Sequence, residues 1–106
     1  MHLHDIQMHV DVDTRTWFPR AQDSLTLHTF GLVGETGEFA DEVKKMLRGS
    51  QNFEEALPKL QEELTDVFIY VITLANHLDM DLQTWYETMR ALVGPCPSWN
   101  LALGSV

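Results

Sequence analysis

Polar and apolar positions in this chain recur with the period of helices, not strands. Leu25, Leu32, Phe39 and Met46 fall at seven-residue intervals, with Val43 and Leu47 alongside. That is the stripe of a helix packing on other helices. It predicts a helix that starts between residues 20 and 24, at a cap such as Asp23 or Ser24, and runs to about residue 48. Gly49 stands where a C-terminal stop belongs. Leu60, Leu64, Val67, Phe68, Val71, Leu74, Ala75 and Leu78 give a wide apolar face on the next helix. Pro58 suits only a first turn, so its firm span is 59–77, with a start near Asn52 or Glu54. Upstream, Leu3, Ile6 and Val10 predict a short helix that weakens from Asp11, and Thr16-Trp-Phe-Pro-Arg reads as a connection. Downstream, Asp79-Met-Asp is a turn. Asp81 is a cap for a last helix over 82 to about 92, which Gly94-Pro-Cys-Pro ends. The expected fold is all-α, a bundle of about four helices. The helix after Pro58 is apolar nearly all round, which in so short a chain calls for a partner subunit. The bundle is therefore expected to be completed by oligomerisation. Residues 1–94 read as the helical domain and 95–106 as a tail.

Acids interrupt this pattern in a way core packing does not require. Glu35 and Glu38 are three apart, on one helix face, and Glu63 and Asp66 repeat the arrangement on the next helix. His28, Glu35 and Glu42 form a seven-residue stripe overlapping the apolar one, with Glu42 a candidate outer acid. Two acidic pairs face to face would repel unless some carboxyls protonate or a cation sits between them. Mg²⁺ is the economical cation, because it takes carboxylate oxygens and is often bridged to phosphates. Di-iron bundles use Glu-x-x-His, and here the partner is Glu38 or Asp66, never His. All-carboxylate ligation suits Mg²⁺ or Mn²⁺ better than iron or zinc. The plain alternative is a solvated acidic face, on which such spacings are common. Gly31, Gly34 and Gly37 lie on the edge of the acidic stretch and suggest close approach by a backbone or ligand.

Composition narrows the partners. The net charge is −9, from 16 acids and 7 bases, which disfavours binding to a nucleic-acid duplex. Cys96 is the lone cysteine, so no internal disulfide forms. The N-terminal residues carry no secretory h-region, and no run reaches the ~20 apolar residues of a membrane span. Together these point to a cytoplasmic protein without membrane association. His2, His4 and His9 lack metal-ligand spacing and read as solvated or end-capping.

The stretches LVGETGEFADEVKK and EELTDVFIYVITLAN resemble the MazG-like all-α nucleoside triphosphate pyrophosphohydrolases, marked by E-x-x-E on one helix and E-x-x-D on the next. The resemblance covers roughly residues 22 to 90. It implies hydrolysis of a (deoxy)nucleoside triphosphate to monophosphate and pyrophosphate, clearing unwanted or excess nucleotides. It also implies that Glu35, Glu38, Glu63 and Asp66 hold Mg²⁺, one of them acting instead as base toward the attacking water. A homodimer or homotetramer is implied as well. Tyr70, one turn beyond Asp66, is either a sugar or base contact or a core residue. His28 lines the base pocket or sits in an interface, and Trp17 and Trp85 stack on a base or pack in the core. Lys45 and Arg90 lead the candidates for phosphate. Many relatives carry Asn and Lys late in the last helix, where this chain has Glu87-Thr-Met-Arg90. Arg90 substitutes there, or another subunit does. The competing reading is a non-catalytic acidic helical oligomer, a protein-interaction module.

Overall fold

The computed structural model describes residues 1–17 and 21–94. Among them are four helices and no strand: α1 (Leu3–Trp17), α2 (Ala21–Leu47), α3 (Phe53–His77) and α4 (Leu82–Val93). The all-α reading is thus met. The expected tail, with Cys96, lies outside the described residues.

The long pair α2 and α3 forms the body of the fold, α1 packs on α3, and α4 rests on α1. The sharp reversal between the long helices is built from caps at both ends. Gly49 takes φ of 76°, Ser50 N–H reaches Lys45 O at 2.9 Å, and Gly49 N–H reaches Met46 O at 3.0 Å. That is the Schellman closure, which needs a residue free to go left-handed. Asn52 then opens α3 with a capping box, its side chain accepting from Glu55 N–H while Glu55 reaches back to Asn52 N–H.

Four local expectations change. α1 runs on through Asp11 to Trp17, so the predicted weakening does not end it. The Arg15–Asp11 pair, at 3.0 Å and four residues apart, supports that extension. α2 begins at Ala21, which puts Asp23 and Ser24 inside the helix rather than at its cap. Pro58 lies in the second turn of α3, not the first. Asp81 precedes α4 but makes no side-chain cap; its carboxylate accepts from Thr84 Oγ1 at 2.8 Å instead.

The cap of α4 comes from far away in sequence. Gln7, buried on α1, accepts from Leu82 N–H at 2.9 Å and donates to Asn76 Oδ1 and to Met80 O at 3.1 and 2.8 Å. Asn76 Nδ2 returns a bond to Gln7 O at 2.9 Å. One amide thus ties α1, α3 and the start of α4 together, with both N–H donors and the carbonyl oxygen of the Gln7 side chain engaged.

The apolar core is thin. Among the described residues the buried apolar ones are Ala56, Ile72 and Ala75, while Leu64, Phe68, Ile69 and Val71 of α3 stay exposed. No described helix is long and apolar enough to cross a membrane.

Candidate active site

The inward face of α2 carries its polar stripe beside the half-buried Leu32, Phe39, Val43 and Met46. His28 and Glu42 are buried and Glu35, spaced evenly between them, is half-buried, whereas Phe30 and Val33 are 70% and 66% exposed. Side chains that recur every seven residues stay on one helix face, and here that face meets α3. α3 answers with Glu63, only 3% exposed, and half-buried Asp66 one turn later.

One carboxylate oxygen from each of Glu35, Glu63 and Asp66 lies within 4.8 Å of the others. Glu38 is exposed at the rim, yet its charge and carboxylate reach Glu35. All the acids expected at the site therefore gather on one spot, three in a tight set and Glu38 at its edge.

The crowding has an electrostatic signature. Glu35 is pushed from the ordinary 4.5 up to about 7, first by burial and then by the charges of Glu38 and Asp66. Glu63 is held below the usual carboxylate range, chiefly because Lys59 Nζ donates to its Oε1 at 3.0 Å. The second oxygen of each acid is stranded. Glu35 Oε2 and Glu63 Oε2 are buried and meet no nitrogen or hydroxyl donor; only a carboxyl that keeps its proton, as Glu35 does below about 7, bonds across the cluster. Buried polar atoms are nearly always partnered, and an anion without a partner is costly. Three oxygen donors this close, with no imidazole or thiolate among them, fit a hard divalent cation such as Mg²⁺ or Mn²⁺.

The remaining candidates divide. Trp17, His28 and Tyr70 line one cavity of about 250 Å³, together with Val10, Asp13 and Thr73. Its volume falls just below the roughly 300–1,000 Å³ of small-molecule pockets, so it has room for one flat heterocycle rather than a whole nucleotide. Tyr70 lies over Gly31, where an added Cβ would strike its ring. The expected approach by a backbone or ligand is not what the glycines show: a side chain packs over Gly31 only, and nothing within 4 Å faces Gly34 or Gly37. His28 also stands 5.7 Å from Tyr70 and 5.9 Å from His77, ring centre to ring centre. Lys45 is paired with Glu42 at 2.9 Å, and Glu42 accepts a further bond from Gln51 at 2.9 Å. Glu42 is thus satisfied at the end of α2. Arg90 is exposed on α4, near Tyr86 Oη at 3.4 Å. His2, His4 and His9 are exposed and join no metal-ligand set among the described residues.

Sequence reasoning passed over Lys59 and His77. Lys59 had a signal, since Lys-x-x-x-Glu places it one turn from Glu63. His77 had none, because only the packing of α2 on α3 brings it to His28.

Residues 22–91 match the profile of the MazG nucleotide pyrophosphohydrolase domain. The chain is also 44% identical, over 90 residues, to a protein of Mycobacterium phage L5 named Gene 37 protein, covering 73% of this chain and 78% of that one. No solved structure matches it.

Proposed function

Since this chain belongs to the MazG nucleotide pyrophosphohydrolase domain family, we propose that its acid pocket hydrolyses a nucleoside triphosphate to monophosphate and pyrophosphate with Mg²⁺ as cofactor. The observation carrying this reading is the pair of stranded oxygens on Glu35 and Glu63 beside Asp66. Glu35, Glu63 and Asp66 hold the ion, with Mn²⁺ able to substitute. A divalent ion held by these residues would supply charge neutralisation for the phosphates and a more acidic water for attack at the α-phosphorus. Glu38 stands at the rim, outside the tight set, and so is the acid free to take the proton of that water. Tyr70 starts one turn, about 6 Å, beyond Asp66, which sets the neighbouring cavity where a base would extend from a phosphate held at the acids. Trp17 and His28 line that cavity and meet the base with Tyr70. Lys45 and Arg90 are less favoured as phosphate ligands, one being engaged by Glu42 and the other lying on α4.

The active form is a homodimer or homotetramer. Phe30, Val33, Gly34, Gly37 and Ala40 make an outward stripe of apolar and small residues on α2, and Leu64, Phe68 and Val71 stay exposed on α3. Surfaces of this kind mark interfaces. The reaction belongs where nucleotide pools are, in the cytoplasm.

Pyrophosphate release from a panel of nucleoside triphosphates, with and without Mg²⁺, tests both halves of the reading. Mg²⁺-dependent release from at least one member is expected, from a sample that gel filtration shows to be larger than one 12.2 kDa chain. No release from any member at micromolar protein would replace the enzyme by the acidic interaction module.

A further inference from the structure

An anionic pocket that takes an anionic substrate must manage its charge twice, before the cation arrives and again when the triphosphate does. Lys59 is placed for both. Its ammonium sits 3.0 Å from Glu63 Oε1 and 3.8 Å from Glu62 Oε2. The Glu63 side chain is only 4% exposed, whereas that of Lys59 is 49% exposed. The lysine thus approaches a buried acid from the solvent side, at the mouth of the cluster. It holds one oxygen of Glu63, while the other is buried with no nitrogen or hydroxyl donor to meet it. Lysine is a compact charge on a flexible stem, able to let go of one anion and take another. The neighbouring Lys45 is engaged by Glu42 instead.

We propose that Lys59 is the built-in counter-ion of the acid cluster. It neutralises Glu63 while the site holds no divalent ion and releases Glu63 when the ion binds. The freed ammonium then meets a phosphate of the nucleotide at the pocket mouth. Lys59 and the divalent ion are therefore antagonists for Glu63, and Lys59 is a substrate-binding residue of the loaded enzyme. This rests on the metal-binding reading of Glu35, Glu63 and Asp66.

Mn²⁺ titration of the full chain without nucleotide, followed by calorimetry, separates the two ideas. Lys59→Met is expected to bind Mn²⁺ roughly two- to fivefold more tightly than wild type, the scale of half-exposed ion pairs. Its metal-free Tm should fall below wild type, and the gap should close at saturating Mn²⁺. Its KM for the triphosphate should rise several-fold with kcat nearly kept. Unchanged or weaker Mn²⁺ binding by Lys59→Met, with normal binding by wild type, overturns the antagonism alone. No Mn²⁺ binding by wild type overturns the metal reading and this proposal with it. A readout that needs no variant is the ¹⁵N–¹H signal of the Lys59 ammonium. It should be sharp in the metal-free protein and broaden on adding Mg²⁺, and a signal that Mg²⁺ leaves untouched also overturns the proposal.

Discussion

Two buried polar clusters stand at different places on α3, and they are built on opposite rules. Around Gln7 and Asn76, amide donors and acceptors meet one another, a backbone carbonyl and an orphan N–H at the start of α4. No buried side-chain atom of this cluster is without a partner. Around Glu35 and Glu63, two carboxylate oxygens are buried with no nitrogen or hydroxyl donor to meet them, and a third acid stands beside them. A satisfied cluster returns its desolvation cost as structure, while an unsatisfied one keeps that cost until something outside the chain arrives. The first therefore reads as architecture and the second as a binding site. If that distinction is sound, the two clusters must respond in opposite ways to substitution.

The largest effect is expected at the acids. Glu35→Gln/Asp66→Asn should lower pyrophosphate release by about 10²–10⁴-fold, the range for losing charge stabilisation or a proton acceptor. It should also remove the rise of Tm on adding Mg²⁺. Metal-free stability should move the other way, since two charges leave a crowded site. pH makes this sharper. The folded pKa of Glu35, about 7, is raised above the ordinary 4.5. Its contribution to stability is present below 4.5 and is lost as pH climbs toward 7. Metal-free wild type should thus lose Tm across that window relative to the variant. His77, held below 6.5 by burial and by His28, works in the opposite sense, losing stability as pH falls. It is present in both proteins and cancels in their difference. A variant with the same Mg²⁺ response as wild type would place the ion elsewhere.

Gln7→Ala should show the reverse profile. It strips partners from Asn76 Oδ1, Met80 O and Leu82 N–H at once. Leaving buried groups unpaired costs about 1–3 kcal/mol, and loss of a helix cap about 1 kcal/mol. A fall of about 2–3 kcal/mol in unfolding free energy is expected by urea denaturation. Activity per folded molecule and the Mg²⁺ response of Tm should stay near wild type. A loss of activity beyond the loss of folded protein would mean that the α1–α4 junction also shapes the site.

This contrast was only half legible in the sequence. The helix spans came from apolar periodicity and from Gly49 and Asn52, which act through neighbours a few residues away. The acidic pairs were visible for the same reason, since a three-residue repeat fixes a face. What periodicity could not decide was whether the acids on α2 go inward with the apolar stripe they overlap. They do: Glu35 and Glu42 share the inner face with half-buried Leu32, Phe39, Val43 and Met46, because α3 places Glu63 and Asp66 opposite them. The role of Gln7 was invisible, because its partners lie 69 to 75 residues away. Asp81 looked like the cap because local sequence offers no other candidate. His77 was missed on the same ground, whereas Lys59 could have been read from its spacing to Glu63.

The finest test uses an acid that obeys the architectural rule on the very helix that carries the site. Glu42 is 8% exposed and shares the stripe of Glu35, so face does not tell them apart and burial alone would rank Glu42 as the more costly acid. Partners separate them, for Lys45 Nζ donates to Glu42 Oε1 and Gln51 Nε2 to Glu42 Oε2, each at 2.9 Å. Those two bonds hold its pKa below the ordinary 4.5, the opposite direction from Glu35. Stability from Glu42 is therefore present above 4.5 and lost as pH falls through its lowered value. Glu42→Gln should lower Tm slightly at neutral pH, by less than Gln7→Ala, and the gap from wild type should vanish in acid. Mn²⁺ affinity and kcat should be unchanged. A tenfold loss of metal affinity would make Glu42 part of the ion's surroundings, and hydrogen-bond satisfaction would then no longer separate structural acids from functional ones in this fold.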